Sequence, residues 1–159
     1  MYQTYTLDID LDKLYSESIK VPDLVTRREH VSNKNGGVQI HDVMWEHIIP
    51  NSYIETQFKP KLLRFLTKTL SKNKMIFNIW LNLNYPLSYN ALHNHDGKYS
   101  GVFYVNIPEG SGNLIFPKLE ETIVPEPGMI VLMKSDLQHA VEPNLSDDIR
   151  ISFAFNCDW

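Results

Sequence analysis

The chain has 159 residues, enough for one domain with a real core, and its 43% apolar and 21% charged residues are those of an ordinary globular protein. A formal charge of −4 argues against a nucleic-acid surface, which needs a basic face, and no apolar run approaches the roughly 20 residues of a membrane helix. The opening MYQTYTLDIDLDKLY lacks the basic and apolar regions of a signal peptide, and a lone cysteine, Cys157, cannot form an internal disulfide, so a cytoplasmic location is expected.

Tyr2 to Leu11 alternates, with Tyr5, Leu7, Ile9 and Leu11 against Thr4, Thr6, Asp8 and Asp10, which predicts a half-buried strand. Asn33-Lys34-Asn35-Gly36-Gly37 reads as a turn or loop. From Pro50 to Leu70, apolar residues recur at helical spacing (Ile54, Phe58, Leu62, Phe65, Leu66, Leu70), and Pro60 divides or starts a helix. Residues 1–74 are therefore expected to be a mixed helical and strand support region.

From Met75 the period changes to two. Phe77, Ile79, Leu81 and Leu83 alternate with Asn78, Trp80, Asn82 and Asn84, giving a strand with one apolar and one amide-rich face. Further strands are predicted at Tyr99–Ile107, Asn113–Phe116, Thr122–Val124, Gly128–Met133, Gln138–Val141 and Ile149–Phe155, separated by Pro-, Gly- and Asn-rich turns. Many short strands at regular spacing mean a sandwich or barrel, the set to which jelly rolls belong. The expectation is a mainly β fold with flanking helices, a single domain over residues 1–159 whose β core occupies 75–159.

Six histidines are present. His30, His41 and His47 have no mutual spacing that suggests a site and are read as surface or locally satisfied residues. His93 and His95 stand at i and i+2, so on an extended segment both imidazoles point the same way and can reach one ion. Imidazole nitrogen suits iron, zinc, nickel or copper. His139 opens a later extended segment, and the four or five strands between it and His95 are enough to travel round a barrel and return.

Arg150 lies inside Ile149-Arg150-Ile151-Ser152-Phe153-Ala154-Phe155, where Ile149, Ile151, Phe153 and Phe155 form one face and Arg150, Ser152 and Ala154 the other. A buried guanidinium is rarely left without an anion, and its planar fork matches a carboxylate. An edge-strand arginine facing water is the alternative. Eleven residues after His139, with Ser152 at i+2, a carboxylate anchor is the preferred reading.

Taken in order, these segments resemble the iron(II)/2-oxoglutarate oxygenases, in particular small bacterial and phage members. The resemblance runs from Asn78-Ile79-Trp80-Leu81-Asn82 through His93-Asn94-His95 and Ser100-Gly101-Val102-Phe103-Tyr104-Val105. It continues through Gly112-Asn113-Leu114-Ile115-Phe116-Pro117, Pro127-Gly128-Met129-Ile130-Val131-Leu132 and His139-Ala140-Val141-Glu142-Pro143-Asn144 to Arg150-Ile151-Ser152-Phe153. It implies a double-stranded β-helix, Fe(II) and O2 as cofactor and oxidant, and 2-oxoglutarate as co-substrate. His93 takes the first ligand position and His139 the last. Arg150 with Ser152 binds the distal carboxylate of 2-oxoglutarate, Tyr104 hydrogen-bonds the same carboxylate, and Tyr85 lies near the keto-acid end. Decarboxylation of the co-substrate would be coupled to hydroxylation of a protein or peptide side chain such as proline, or of a small metabolite. Trp80, Tyr89 and Tyr99 could stack against a substrate ring, or simply pack.

One departure stands out. Where most of the superfamily has a carboxylate two residues after the first histidine, this chain has His95, with Asp96 adjacent. The ligands are then His93, His95 and His139; or His93, Asp96 and His139; or His95 and Asp96 with one imidazole of the pair. Three histidines are preferred, because strand alternation turns Asp96 away, where it could orient a ligand from behind. Two rivals share the barrel. A cupin-type metalloenzyme without 2-oxoglutarate usually adds a glutamate after the histidine pair, absent here, and leaves Arg150 without a role. A non-catalytic jelly-roll binding module leaves the histidines and the arginine unexplained. Nothing in the sequence specifies an oligomeric state.

Overall fold

A computed structural model describes residues 1–21, 33–41 and 49–159. His30 and His47 lie outside the described residues. Two antiparallel sheets face each other, and the strands that build them are β1 (Tyr2–Thr6), β2 (Asn33–Lys34), β3 (Val38–His41), β4 (Ile76–Asn84), β5 (Tyr89–His93), β6 (Tyr99–Asn106), β7 (Leu114–Phe116), β8 (Glu121–Ile123), β9 (Met129–Lys134), β10 (His139–Val141) and β11 (Arg150–Asp158). The larger sheet runs β1-β9-β6-β11-β4-β3 and the smaller β2-β5-β10-β7-β8. Chain neighbours are thus often not sheet neighbours. This is the jelly-roll arrangement expected from the strand pattern, a double-stranded β-helix with helices outside it.

The period-two pattern of the larger sheet separates two environments. On β11 and β4, Ile151, Phe153, Phe155, Ile79, Leu81 and Leu83 face the helices and form the main core with Phe103, Ile130 and Leu132. Their alternates, Arg150, Ser152, Ala154, Trp80, Asn82 and Asn84, turn toward the smaller sheet. Between the sheets lies a second apolar cluster built on Tyr104, Leu114, Phe116, Val131 and Met133.

Helix α1 (Leu11–Ser18) starts where Asp10 accepts a hydrogen bond from the Lys13 amide, an N-cap. The alternation of residues 2–11 therefore ends as a strand at Thr6, and Leu11 belongs to the helix. Glu17 then caps a second helical entry by accepting from the Tyr53 and Ile54 amides. A π-helical turn at Ile54–Phe58 leads into α2 (Lys59–Thr69), with Pro60 in the first turn, where its missing N–H costs nothing. Phe58 meets Phe103 and Phe153 at ring-centroid distances of 4.9 and 4.8 Å, locking this helix to the sheet. Among the described residues, no helix is long and apolar enough to cross a membrane.

Candidate active site

The smaller sheet brings the histidines together. β5 and β10 pair antiparallel with His93 directly opposite His139, and a bulge between His139 and Val141 marks the join. His95 lies two residues beyond β5, its backbone N–H donating to Ser135 O at 2.9 Å, which ties it to the turn before β10. One ligand atom from each of the three imidazoles lies within 4.8 Å of the others.

The ring orientations are set from behind. His93 Nδ1 is 2.6 Å from Ala91 O and His139 Nδ1 is 2.9 Å from Leu137 O. A carbonyl can only accept, so these contacts place the proton on Nδ1 and a lone pair on Nε2. His139 Nε2 in turn lies 3.2 Å from His95 Nε2. Two nitrogens at right angles about one metal ion, each about 2.1 Å from it, stand about 3 Å apart. The donor set therefore fits a first-row metal ion. Burial and the neighbouring His93 hold the His139 imidazole down to about 4, which keeps it in the neutral, metal-binding form. Asp96 is exposed and belongs to a separate depression with Asn78, Asn156 and Asp158, away from the imidazoles.

The cavity into which the imidazoles converge is also lined by Tyr104, Arg150, Ser152 and Ala154 from the larger sheet. Arg150 is 2% exposed and donates from Nη1 to Ser111 O at 2.7 Å, with Gly112 O at 3.4 Å. Burial pulls its guanidinium down to about 10, with the Tyr104 phenol beside it. Tyr104 is itself buried, and desolvation raises its phenol well above the usual range, so it remains a hydrogen-bond donor. Ser152 sits beside Tyr104 in the cross-strand register of β11 and β6.

Three of the residues considered for the site lie outside the cavity lining. Tyr85 packs against the main core instead of lining the cavity, because β4 ends at Asn84 and the chain turns there, Ser88 N bonding back to Tyr85 O at 2.9 Å. Of the three aromatics considered for substrate stacking, Trp80 lines the cavity, whereas Tyr99 stacks on Trp159 at 5.9 Å and Tyr89 is not part of the lining. The sequence reading passed over Gln39, Asn82 and Asn90, which line it too. Asn82 was legible as part of the polar face of β4; Gln39 was not, since β3 carries only four residues. His41, at the end of β3, stacks on Trp80 at 5.6 Å.

Fold and site together define a jelly-roll protein with a candidate metal centre of three imidazoles and a buried cation in one cavity. Residues 117–156, about a quarter of the chain, match the model of a family described as "Putative 2OG-Fe(II) oxygenase". No curated protein sequence matches the chain. Among solved structures, the viral collagen prolyl hydroxylase of Paramecium bursaria Chlorella virus-1, solved as a 2OG complex, is similar at a TM-score of 0.71 and 19% identity, over 98% of this chain and 94% of that one. A prolyl-4-hydroxylase of Pseudomonas putida gives 0.72 and 17%, covering 99% and 91%. HygX of Streptomyces hygroscopicus, solved with nickel and 2-oxoglutarate bound, gives 0.70 and 9%, covering 99% and 82%. The chain thus resembles the iron(II)/2-oxoglutarate oxygenases in sequence over that quarter and shares their fold over nearly its whole length.

Proposed function

We propose that this chain is an iron(II)- and 2-oxoglutarate-dependent oxygenase, folded as one domain, that hydroxylates a peptidyl side chain such as proline, or a small metabolite. The observation that carries the reading is Arg150, a buried cation on the wall of the cavity that receives three imidazoles, held among the described residues by backbone carbonyls and by no carboxylate. A guanidinium in that setting is satisfied by a carboxylate that arrives with the ligand. The prolyl hydroxylases of similar fold support a peptide as substrate.

His93, His95 and His139 would hold the metal, and the Ala91 and Leu137 carbonyls keep two of these rings turned toward it. Bound iron would supply activation of O2 coupled to oxidative decarboxylation of 2-oxoglutarate. Arg150 grips the distal carboxylate, with the Ser152 and Tyr104 hydroxyls as further donors, and so orients the keto acid before any chemistry begins. Val102, Leu114, Met133, Val141 and Ala154 supply an apolar lining that keeps bulk water out.

An anaerobic titration of the metal-free protein with Fe(II) and 2-oxoglutarate tests this. The expected result is a weak visible absorption band that requires both components and fades in Arg150→Ala. Tight metal binding with no dependence on 2-oxoglutarate would make the protein a cupin-type metalloenzyme instead. No metal binding at all would leave a binding module.

A further inference from the structure

The register of the larger sheet sorts the cavity floor into rows. Asn84 lies opposite Arg150, Asn82 opposite Ser152, and Trp80 opposite Ala154. On the other side of β4, Gln39 stands opposite Asn82 and His41 opposite Trp80. The Trp80 ring is 5.6 Å from that of His95. A pair of amides, Gln39 and Asn82, therefore occupies the row between the arginine and the level of the imidazoles.

This wall is unfinished. Trp80 Nε1, a donor, and Asn82 Oδ1, an acceptor, are both buried without a hydrogen-bond partner among the described residues. The next amide along the strand, Asn84, turns its N–H groups to Ser88 Oγ at 2.9 Å and to Asn90 Oδ1 at 3.1 Å. A buried polar group left unpaired costs about 1–3 kcal/mol, and folded proteins rarely carry two side by side without a reason. 2-Oxoglutarate cannot complete the wall. Its two carboxylates and its ketone only accept at neutral pH, so it could take the Trp80 N–H but never satisfy Asn82 Oδ1. Whatever completes both needs a donor and an acceptor close together. It needs no charge, because Gln39, Asn82 and Trp80 carry none.

We propose that Gln39, Asn82 and Trp80 form the substrate-binding wall of this cavity and select a substrate through an amide group, whose carbonyl accepts from Trp80 Nε1 and whose N–H donates to Asn82 Oδ1. The inference rests on the oxygenase reading of the same cavity. A peptide main chain and a primary carboxamide share this chemistry.

The test follows the side-chain N–H signals in proton–nitrogen correlation spectra of the protein loaded with 2-oxoglutarate and Zn(II), a diamagnetic stand-in for iron. Trp80→Phe identifies the Trp80 indole signal among the three tryptophans. N-acetylglycine N-methylamide, acetamide and methyl acetate are titrated in turn. The expected result is a saturable downfield shift of the Trp80 indole proton together with a shift of the Asn82 amide pair. Methyl acetate should bind at least about tenfold more weakly than acetamide, since it keeps the carbonyl and lacks the N–H donor. In Asn82→Leu the amide response should vanish while 2-oxoglutarate still shifts the Arg150 guanidinium signal. A response to acetamide as strong as to the capped glycine supports a carboxamide source, and a response to the capped glycine alone supports a peptide. Shifts of Trp80 and Asn82 caused by 2-oxoglutarate and by none of the amides would overturn the proposal. Amide binding that survives Asn82→Leu would overturn it as well. If amides titrate but 2-oxoglutarate never reaches Arg150, the wall stands and the oxygenase reading falls.

Discussion

The Arg150 guanidinium is anchored by Ser111, a residue 39 positions earlier in the chain, whose carbonyl accepts from Nη1 at 2.7 Å. The next residue, Gly112, is what lets the two approach. A Cβ built there would lie 2.3 Å from Glu142 O and 2.9 Å from Arg150 Nη1, on a backbone with φ of +100°. The loop before β7 thus holds the arginine by its backbone while the cavity face of the guanidinium is left to a ligand.

Gly112→Ala should therefore do two things at once. Strain and the clash with Glu142 should lower stability by about 1–3 kcal/mol, and the displaced guanidinium should weaken 2-oxoglutarate binding at least about tenfold. Gly110→Ala is the control, because its φ is also positive, +76°, yet nothing lies within 4 Å of the added methyl. Melting curves with calorimetric titration of 2-oxoglutarate separate the effects. Equal co-substrate affinity in the two variants would break the link between this loop and Arg150.

His95 and Asp96 give a sharper test of the metal set. The histidine faces His93 and His139 at ring distances of 4.9 and 5.1 Å, whereas the aspartate is exposed beside Asn156 and Asp158. His95→Ala should weaken Fe(II) or Ni(II) binding by more than about 100-fold, beyond what loss of an outer-shell partner does, and Asp96→Ala should leave it within a few-fold. Competition with a colorimetric chelator reads both. The opposite ranking would move the site to Asp96.

How much of this could be read from the chain alone depends on how strongly each segment's pattern was enforced. β4 and β11 are long, central and packed on the helices, so their alternation is clean, and the separation of Arg150 from Ile151 and Phe153 could be read directly. His93 and His139 converge because β5 and β10 pair with the two residues opposite each other, and His95, past the end of β5, is held beside them by its amide bond to Ser135 O. The edges were harder. Among the described residues β1 pairs along β9 alone, and the alternation past Thr6 yields to the Asp10 cap, a local signal that overrode the wider pattern. Gln39 was invisible because β3 gains its meaning from its register with β4, a long-range fact. Tyr85 sat at the right spacing but just past a strand end, where alternation no longer dictates direction.

Cys157 sits fully buried in the main core on β11, and desolvation pushes its thiol up to about 12. The thiolate is the reactive form, so at pH 8 the folded protein should resist iodoacetamide for hours and react within minutes in denaturant. Mass spectrometry after timed quenching follows the difference. Rapid alkylation of the native protein would show that this end of β11 opens readily.

Stability of the metal-free protein should fall on mild acidification, and His139 sets the direction. Its imidazole is held down to about 4, first by burial and then by repulsion from His93, against 6.5 in an unfolded chain. Between those two values the unfolded chain binds a proton that the folded protein refuses, so stability rises with pH across that interval. The contribution is fully present above 6.5 and is lost progressively as pH falls toward 4, on the order of 3 kcal/mol in all. Urea unfolding at pH 7.5, 6.0 and 5.0 should show the midpoint dropping in the parent protein, with a shallower fall in His139→Gln, which keeps a polar group but cannot titrate. If the two proteins lose stability in parallel, the acid sensitivity arises elsewhere. Saturating Zn(II) should steepen the parent's fall, because protons then compete with the ion for the same imidazole.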